Sequence, residues 1–482
     1  MAVLQTAAAS SADFSRLPLE QCRSWQCVPL RDAGASRWRL AMADPWDERV
    51  LRQATTALGE VPELLAATTA QLQQWLAVPA GNQAPAARRD ATGPVVEFVD
   101  AAIDAGFRGG ASDIHFECGR TGVVVKLRQD GVMRPFAQLD DNQRAAEVIS
   151  RIKVMAQLDI TETRMPQDGR FRFQMPEGPI DLRVSIMPSV FGEDAVLRLL
   201  DKAQLRGRAA AVSLDLLGFD ADSAMRIREL AELPHGMLLV TGPTGSGKTT
   251  TVYATLAEIN TGIEKIITIE DPVEYELPGV LQIPVNERKG LTFAKGLRSI
   301  LRHDPDRILV GEIRDAETAE IAVQSALTGH QVFTTVHANS IYDVTGRFRH
   351  FGLDMFGFMA SLNGVVVQRL VRRLCSHCVS ARVPTDRESR WLSGLGFHAQ
   401  SVPDAQGCDQ CNGTGYRGRL VIAEVHLIDD GFRDLVIGMQ PVSALREHIA
   451  RQGTSSLSTQ AARLVIGGIS SAEEIKRVVG WL

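Results

Sequence analysis

Three features are missing from the sequence, and each absence narrows what the protein can be. No apolar run approaches the roughly 18 residues that a membrane-spanning helix needs. The first residues, MAVLQTAAASSADFSRLP, have neither a basic leader nor a continuous apolar core, so they do not predict a signal peptide. Positive charge is not in excess, because 52 Lys and Arg face 57 Asp and Glu for a net charge of −5. We therefore expect a cytoplasmic protein with no nucleic-acid partner.

Cysteine is also scarce, with 7 residues in 482, yet four of them form two Cys-x-x-Cys pairs. The pairs are CSHC at 375–378 and CDQC at 408–411, with 29 residues (379–407) between them. In a reducing compartment this pattern favours a closed, tetrahedral, structural zinc site over disulfides. The expected zinc ligands are Cys375, Cys378, Cys408 and Cys411. The other three cysteines are interpreted as isolated thiols: Cys22, Cys27 and Cys118.

The length exceeds what a single hydrophobic core can fill, so several domains are expected. Residues 1–77 are predicted to form a small N-terminal α/β domain that docks a partner. Within it, RWRLAMA alternates like a strand, DPWDERVLRQATTAL has helical spacing, and a second helix is predicted to begin in VPELLAATTAQLQQWLA. Residues 78–94, which are rich in Pro, Gly and Ala, predict a flexible linker.

A second domain is predicted over residues 95–202, with mixed α+β structure. It begins with the helix VVEFVDAAIDAGFRGG, and the helix AAEVISRIKVMAQLDI lies between short alternating segments such as SDIHFEC, VVVKLRQDG, GRFRFQM and IDLRVSIMP. The step Asp130-Gly131 favours a tight hairpin turn. The segment RGRAAAVS that follows this domain is interpreted as a hinge.

Residues 213–482 are predicted to form the third domain. Apolar β-branched segments alternate with helical ones as far as QVFTTVHAN, which is typical of a mostly parallel sheet with helices on both faces. The fold class is therefore α/β. From residue 341 onward the sequence predicts a largely helical region, interrupted by the four-cysteine zinc subdomain at 375–419.

The segment GPTGSGKTTT directly follows the apolar run MLLV and matches the Walker A spacing. Small residues let successive backbone N–H groups face a phosphate, and the following helix adds its positive end. Lys248 is expected to reach the β- and γ-phosphates of ATP, and the Thr249 hydroxyl to ligate Mg²⁺. The predicted nucleotide-binding residues of this loop are Gly242, Pro243, Thr244, Gly245, Ser246, Gly247, Lys248, Thr249 and Thr250.

Two acidic segments follow predicted strands. In RILVGEIRD, Glu312 occupies the place of a Walker B acid and is the candidate that orients or deprotonates the attacking water. In TIEDPVE, Glu270, Asp271 and Glu274 suit water-mediated binding of Mg²⁺. The alternative is that these three carboxylates only cap and shape a turn.

The series GPTGSGKTTT, TIEDPVEY, LRSILRHDPDRILVGEIRD and TGHQVFTTVHAN resembles the secretion ATPases that drive type II secretion and type IV pilus assembly. In that family these segments are named the Walker A, Asp, Walker B and His boxes. The resemblance covers about residues 95–480 and continues downstream through QRLVRRLCSHC. It implies a P-loop NTPase (RecA-like) core, a PAS-like middle domain, and a homo-hexamer that binds ATP and Mg²⁺ between the two lobes.

The resemblance also implies further site residues. A planar guanidinium stabilises the charge of a transferring phosphoryl group, although a surface ion pair is the commoner fate of an arginine. The arginines implied to close on the γ-phosphate are Arg183 and Arg198 of the middle domain and Arg298 and Arg302 of the core. His330 and His337, which flank QVFTTV, either respond to the nucleotide or only form structural hydrogen bonds. His115 in SDIHFE is a weaker candidate.

These observations predict an ATP hydrolase that powers the inner-membrane platform of a type II secretion system during pseudopilus assembly. The N-terminal domain would dock the ring to the cytoplasmic part of a platform protein, and the ring would act on a polytopic platform protein, so the enzyme would be attached peripherally to the inner membrane. Type IV pilus assembly is the alternative within the family. Outside it, a DNA-transfer ATPase is disfavoured by the acidic net charge, and a non-hydrolysing nucleotide-gated scaffold by the intact Lys248, Thr249 and Glu312.

Overall fold

The computed structural model divides the chain into two compact units, Met1–Ala86 and Ala87–Leu482. The residues that it describes are 93–200 and 213–481 and, before them, 16–17, 21–22, 25, 27–30, 38–44, 47–68, 72, 76 and 86–87. The predicted linker therefore lies almost entirely outside the described residues, and so does the predicted hinge. The domain boundaries drawn from the sequence stay predictions. No helix in the described part of the chain is both long and apolar enough to span a bilayer.

In the part of it that the structure describes, the first unit contains a small three-stranded sheet and an 11-residue helix. Its elements are β1 Cys27–Leu30, β2 Arg39–Met42, α1 Glu48–Leu58 and β3 Glu63–Ala66, and the two-residue strand β4 Ala86–Ala87 follows. Strand β1 pairs antiparallel with β2, whereas β3 pairs parallel with β2. The prediction of a helix starting at residue 61 is therefore wrong for 63–66, because these residues extend the sheet and bury Leu65 in the core.

The second unit begins with an antiparallel sheet. Its elements are α2 Pro94–Arg108, β5 Ala111–Cys118, β6 Val123–Gln129, β7 Val132–Leu139, α3 Asn142–Met155, β8 Gln167–Met175, β9 Gly178–Ser189 and β10 Gly192–Leu200. Six strands follow one another in the order β8-β9-β10-β5-β6-β7. The predicted hairpin turn joins β6 to β7, with φ of 47° at Asp130 and 80° at Gly131. Positive φ at both central residues is the geometry that the Asp-Gly step favours, and this prediction is confirmed.

A second sheet carries the remainder of this unit. Its strands are β11 Gly236–Thr241, β12 Ile266–Glu270, β13 Leu281–Pro284, β14 Arg307–Val310, β15 Gln331–Val336, β16 Leu362–Leu374 and β19 Tyr416–Leu427, and the short pair β17 Val379–Arg382 and β18 Val402–Ala405 precedes β19. The order is β13-β12-β14-β15-β11-β16-β19, and only β19 runs antiparallel to its neighbour. The sequence-based prediction of a largely helical region after residue 341 is wrong at β16 and β19, which are among the longest strands described.

Helices cover both faces of this sheet, as the alternating pattern predicts. They are α4 Ala221–Ala231, α5 Lys248–Ile259, α6 Phe293–Ile300, α7 Ala316–Leu327, α8 Ile341–His350, α9 Met355–Ser361, α10 Asp386–Gly394, α11 Asp430–Ile437, α12 Val442–Arg451, α13 Leu457–Ile466 and α14 Ala472–Val478. Strand β12 shows the two-sided burial: Ile267 and Ile269 pack into one apolar core, and Ile266 packs into the other. A parallel sheet buried on both faces is the architecture of a P-loop α/β domain.

A buried carboxylate fastens helix α14 to the end of strand β16. Glu474 is fully buried, and its Oε2 lies 2.7 Å from Nη2 of Arg372 while its Oε1 lies 2.6 Å from Nη2 of Arg477. Burial opposes ionisation of this carboxyl, but the two guanidinium groups prevail and hold the pKa of Glu474 below its ordinary value.

We expect Glu474→Gln to lower the free energy of unfolding by about 3 kcal/mol at neutral pH, because the largely buried guanidinium of Arg372 loses its counter-charge, whereas Arg477, which is 44% exposed, contributes little. A carboxyl whose pKa is lowered by folding stabilises the protein above its unfolded pKa and loses that contribution as the pH falls. The deficit of the variant, measured by urea denaturation, should therefore stay constant between pH 7 and about pH 5.5 and shrink as the pH falls through the ordinary glutamate pKa of 4.5 and below. Glu473→Gln, on the exposed side of the same helix, is the matched control. A deficit independent of pH would contradict this assignment.

Candidate nucleotide site

A cleft of about 400 Å³ lies at the carboxyl edge of the parallel strands. Its walls come from four consecutive strand ends: the loop after β11, the acidic segment 270–274 after β12, Gly311 and Glu312 after β14, and His337 after β15. Because these strands are neighbours in the sheet, side chains as far apart in the sequence as Lys248 and His337, which are separated by 89 positions, meet at one place. Ligands of open α/β sheets bind at this edge.

The glycine-rich loop has the geometry of an anion cradle. A side chain at Gly242 would place its Cβ 2.5 Å from the carbonyl oxygen of Gln368, so only glycine fits. Gly247 has φ of 85° and forms the N-cap of α5, where a left-handed conformation also favours glycine. Gln368 on β16 donates a 2.7 Å hydrogen bond to the carbonyl of Ser246 and braces the loop from the side. Sequence reasoning missed this residue, because the segment that forms β16 was expected to be helical.

Lys248 is the buried cation of the loop. Its side chain is 8% exposed, and its ammonium donates to the carbonyl oxygens of Gly242 and Pro243 at 3.0 and 3.3 Å. Burial lowers the pKa of Lys248 to about 8, although the nearby carboxylate of Glu312 acts in the opposite direction. A buried ammonium without a carboxylate in direct contact is electrostatically suited to receive an anion.

Glu312 faces the same cleft from the end of β14. Its Oε2 lies 3.1 Å from Nε2 of His337, and the other ring nitrogen of that histidine, Nδ1, lies 3.4 Å from the Lys248 ammonium. The other carboxylate oxygen of Glu312, Oε1, accepts a hydrogen bond from Arg314, whose guanidinium also contacts Oδ2 of Asp271 at 3.2 Å. The structure thus joins Lys248, Glu312 and His337 as the sequence predicted, and it adds Arg314, which sequence reasoning missed although it lies two residues beyond Glu312.

The acidic segment after β12 divides into a buried carboxyl and two exposed ones. Asp271 and Glu274 are exposed at the cleft, whereas Glu270 is 2% exposed and is hydrogen-bonded to Tyr253, Thr268 and Gln282. Burial is the largest influence on Glu270 and raises its pKa. Water-mediated Mg²⁺ binding, predicted for all three carboxylates, therefore suits Asp271 and Glu274 better than Glu270.

The structure does not bring the predicted arginines into this cleft. Arg183 and Arg198 lie opposite each other on β9 and β10, and Arg198 pairs with Asp113 at 2.8 Å. On the core, Arg298 pairs with Glu317 at 2.7 Å, and Arg302 donates to the carbonyl of Arg298. Arg198 and Arg298 thus form the ion pairs that were the alternative interpretation. None of the four arginines is among the described residues that line the cleft.

Two of the three candidate histidines also lie away from the cleft. His330 precedes β15 and so sits at the amino edge of the parallel sheet, the edge opposite the phosphate loop, where its Nδ1 contacts the carbonyl of Ser325 at 3.0 Å. His115 lies on β5 of the antiparallel sheet, where burial lowers its pKa. Only His337 has a position from which it could contact a bound phosphate.

The four predicted cysteine ligands form one compact cluster. All four Sγ atoms lie within 4.8 Å of one another, and three of the separations are 3.8, 3.8 and 3.9 Å. Sulfur atoms at the corners of a tetrahedron with metal–sulfur bonds of about 2.3 Å would be about 3.8 Å apart. Against the effect of burial, N–H groups of Cys408 and Gly415 lower the pKa of Cys411 to about 6. The donor set and its spacing therefore suit a metal ion.

The 29 residues between the two cysteine pairs (379–407) hold β17, β18 and α10. The helix α10 occupies Asp386–Gly394. It begins with a capping box in which Thr385 and Glu388 satisfy each other's backbone N–H groups. This insertion explains why the spacing between the pairs exceeds that of a compact zinc knuckle.

Strand, glycine loop, buried lysine and strand-end carboxylates together define a P-loop nucleotide-binding protein. The family model described as "Type II/IV secretion system protein" matches residues 88–477, and the model of the MshEN domain matches residues 3–77. Because the first match covers most of the sequence, the chain belongs to the type II/IV secretion system protein family. The resemblance drawn from the four boxes is confirmed, and with it the expectation of an ATPase of this family.

Named relatives and solved structures agree with this placement. The chain is 42% identical to the type II secretion system ATPase E of Vibrio cholerae over 80% of its own length and 75% of that protein. It is 43% identical to the type II secretion system protein E of Aeromonas hydrophila, over 81% of its own length and 76% of that protein. The crystal structure of the pilus retraction motor PilT with bound ADP covers 80% of this chain and 97% of that chain, with a TM-score of 0.50 and 25% identity.

Proposed function

We propose that the chain is a Mg²⁺-dependent ATPase that powers the inner-membrane platform of a type II secretion system. The observation that carries this proposal is the position of the Lys248 ammonium and the Glu312 carboxylate at one cleft, with His337 in contact with both. One group binds the transferring phosphate and the other acts on the attacking water. This division of roles is the requirement of phosphoryl transfer to water.

Nucleotide binding rests on the phosphate loop. Its N–H groups and Lys248 bind the β- and γ-phosphates, and the positive end of α5 favours the same charge. The Thr249 hydroxyl, with Asp271 and Glu274 through water, would hold magnesium, for which hydroxyl and carboxylate oxygens are suitable ligands. Magnesium, when bound, neutralises charge on the β- and γ-phosphates.

Hydrolysis requires a base beside the γ-phosphate, and Glu312 fills this role in our proposal. Its carboxylate accepts the proton of the attacking water while Arg314 and His337 fix its orientation from either side. A base held by two neighbours needs little reorganisation when the reaction begins.

We further propose that the working form is a homo-hexamer in which closure of the lobes completes the site. Arg183 and Arg198 would approach the γ-phosphate from the middle domain, and Arg298 and Arg302 from the core. Arg198 is paired with Asp113 in this structure, so its approach to the nucleotide would exchange that carboxylate for the γ-phosphate. The N-terminal domain, over residues 1–77, would dock to the cytoplasmic part of a platform protein and hold the ring at the inner membrane.

The metal of the four-cysteine cluster is zinc in this proposal. Thiolate is a soft ligand, and a closed set of four suits a structural rather than a catalytic ion. The bound ion would fix the turns at 375–378 and 408–411 relative to each other and so hold the segment that leads from β16 into β19.

Elemental analysis tests the zinc assignment. We expect one zinc ion per chain in the purified protein, and we expect Cys411→Ser to lose most of it and to lower the thermal stability of the 375–419 subdomain. Cys118→Ser, on β5, removes a thiol outside the cluster and is the matched control. A wild-type protein purified without metal, and not stabilised by added zinc, would rule out the assignment.

Replacement of the proposed base tests the enzymatic function. Glu312→Gln should still bind a fluorescent nucleotide with Mg²⁺, but its rate of phosphate release should fall by about 10²–10⁴-fold, the contribution of a general base. Glu320→Gln removes a carboxylate from the exposed face of α7 and should behave as wild type. Wild-type protein that binds ATP without turnover would favour a nucleotide-gated scaffold, and full activity of Glu312→Gln would remove this residue from the mechanism.

A further inference from the structure

A closed hydrogen-bond network lies beneath the cleft, around the buried carboxyl of Glu270. Its Oε2 accepts the phenol proton of Tyr253, and its Oε1 accepts hydrogen bonds from the Thr268 hydroxyl at 2.5 Å and from Nε2 of Gln282 at 3.3 Å. Both carboxyl oxygens are therefore engaged, although the side chain is 2% exposed. A buried polar network of this kind specifies one arrangement only if every member is satisfied.

The donor to Oε2 comes from the helix of the phosphate loop. Tyr253 lies on α5, which begins at Lys248, and its side chain is completely buried. Its ring packs edge-to-face on Tyr275 with the ring centroids 4.7 Å apart. Burial raises the pKa of Tyr253, so the phenol keeps its proton and remains a donor. The hydroxyl therefore ties α5 directly to the end of β12.

Gln282 connects the same carboxyl to the rest of the acidic segment. Its Nε2 also donates to the carbonyl of Tyr275 at 3.1 Å, and its Oε1 accepts the N–H of Leu277 at 2.7 Å. These two bonds fix the chain directly after Glu274. The carboxyl of Glu270 is thus the common partner of the phosphate-loop helix and of β13, and Gln282 links it to the segment that presents Asp271 and Glu274 to the cleft.

The neighbouring strand packs closely against the backbone of Glu270. At Gly311, just before Glu312, a Cβ would lie 3.2 Å from the carbonyl oxygen of Ile269 and 3.3 Å from Cα of Glu270. The backbone of Glu270 therefore packs tightly against the strand end that carries the proposed base. A shift of Glu270 would be transmitted to both acidic segments of the site.

We propose that Tyr253 is a positioning residue of the proposed ATPase site: its hydroxyl, with Gln282, holds the Glu270 carboxyl so that Asp271 and Glu274 keep their places beside the phosphate loop. This inference rests on the proposed function, and it assigns Tyr253 an indirect role, without contact to nucleotide. In this inference Glu270 does not bind magnesium itself. It holds in place the two carboxylates that do, those of Asp271 and Glu274.

Tyr253→Phe removes one oxygen atom and keeps the ring contact with Tyr275. In the full-length protein, we expect kcat to fall by about tenfold, because small displacements of catalytic groups have effects of this size or larger. Affinity for a fluorescent ADP analogue without Mg²⁺ should stay within about twofold of wild type, whereas the gain in affinity on adding Mg²⁺ should fall at least about threefold. A purely structural hydroxyl would lower the melting temperature and move neither quantity.

Tyr275→Phe is the matched control, because the Tyr275 hydroxyl is buried without a hydrogen-bond partner among the described residues. It should leave kcat and the Mg²⁺ effect within about twofold of wild type. A double-mutant cycle with Glu270→Gln adds a second criterion: if Tyr253 acts through this carboxyl, the two substitutions together should lower kcat much less than the product of their separate effects.

The outcomes separate this inference from the proposed function. If the wild-type protein hydrolyses ATP and Tyr253→Phe has the same kcat and the same Mg²⁺ effect, the positioning role is overturned and the ATPase proposal stands. Additive effects in the double-mutant cycle would have the same meaning. If the wild-type protein does not hydrolyse ATP, the ATPase proposal is overturned. The positioning role of Tyr253 then stands if Tyr253→Phe lowers the gain in ADP affinity on adding Mg²⁺, and it is overturned if that gain is unchanged. If Tyr253→Phe does not fold, Gln282→Leu provides the same comparison from the other side of the carboxyl.

Discussion

The site depends on one buried charge, the ammonium of Lys248. It lies among backbone carbonyl oxygens of the phosphate loop, and burial holds its pKa near 8. Removing a charge from water without a directly bound counter-ion is unfavourable, so the folded loop favours a bound anion. The cleft around that position is lined by Glu312 and His337 and by the exposed carboxylates of Asp271 and Glu274.

Sheet topology explains why these groups meet. Strands β12, β14, β15 and β11 are consecutive neighbours and run parallel, so their carboxyl ends form one edge. Each strand is followed within two residues by one that the site uses, and the strands themselves are buried on both faces. Stability and chemistry are therefore separated along each strand: apolar residues hold the sheet, and the first residues after it form the site.

Short-range patterns were sufficient for part of this site. The phosphate loop, the strand-end position of Glu312 and the four-cysteine cluster follow from local spacing, and the turn at Asp130-Gly131 follows from backbone preference. Long-range contacts were not predictable. Strand β16 lacks an alternating pattern of apolar and polar residues because both of its faces are buried, so the role of Gln368 could not be predicted. The burial of Glu270 depends on partners from α5 and β13. The proposed arginine roles would depend on how lobes and subunits meet, which local sequence does not encode.

The charge state of Lys248 provides the most direct test of this account. The measurement is the affinity of the full-length protein for a fluorescent ADP analogue without Mg²⁺, followed from roughly pH 7 to pH 9.5. Affinity should be constant below about pH 8 and should then fall by up to about tenfold per pH unit as the ammonium loses its proton. In Lys248→Arg, whose guanidinium stays charged, it should not fall. A wild-type affinity that stays constant across this range would contradict the account.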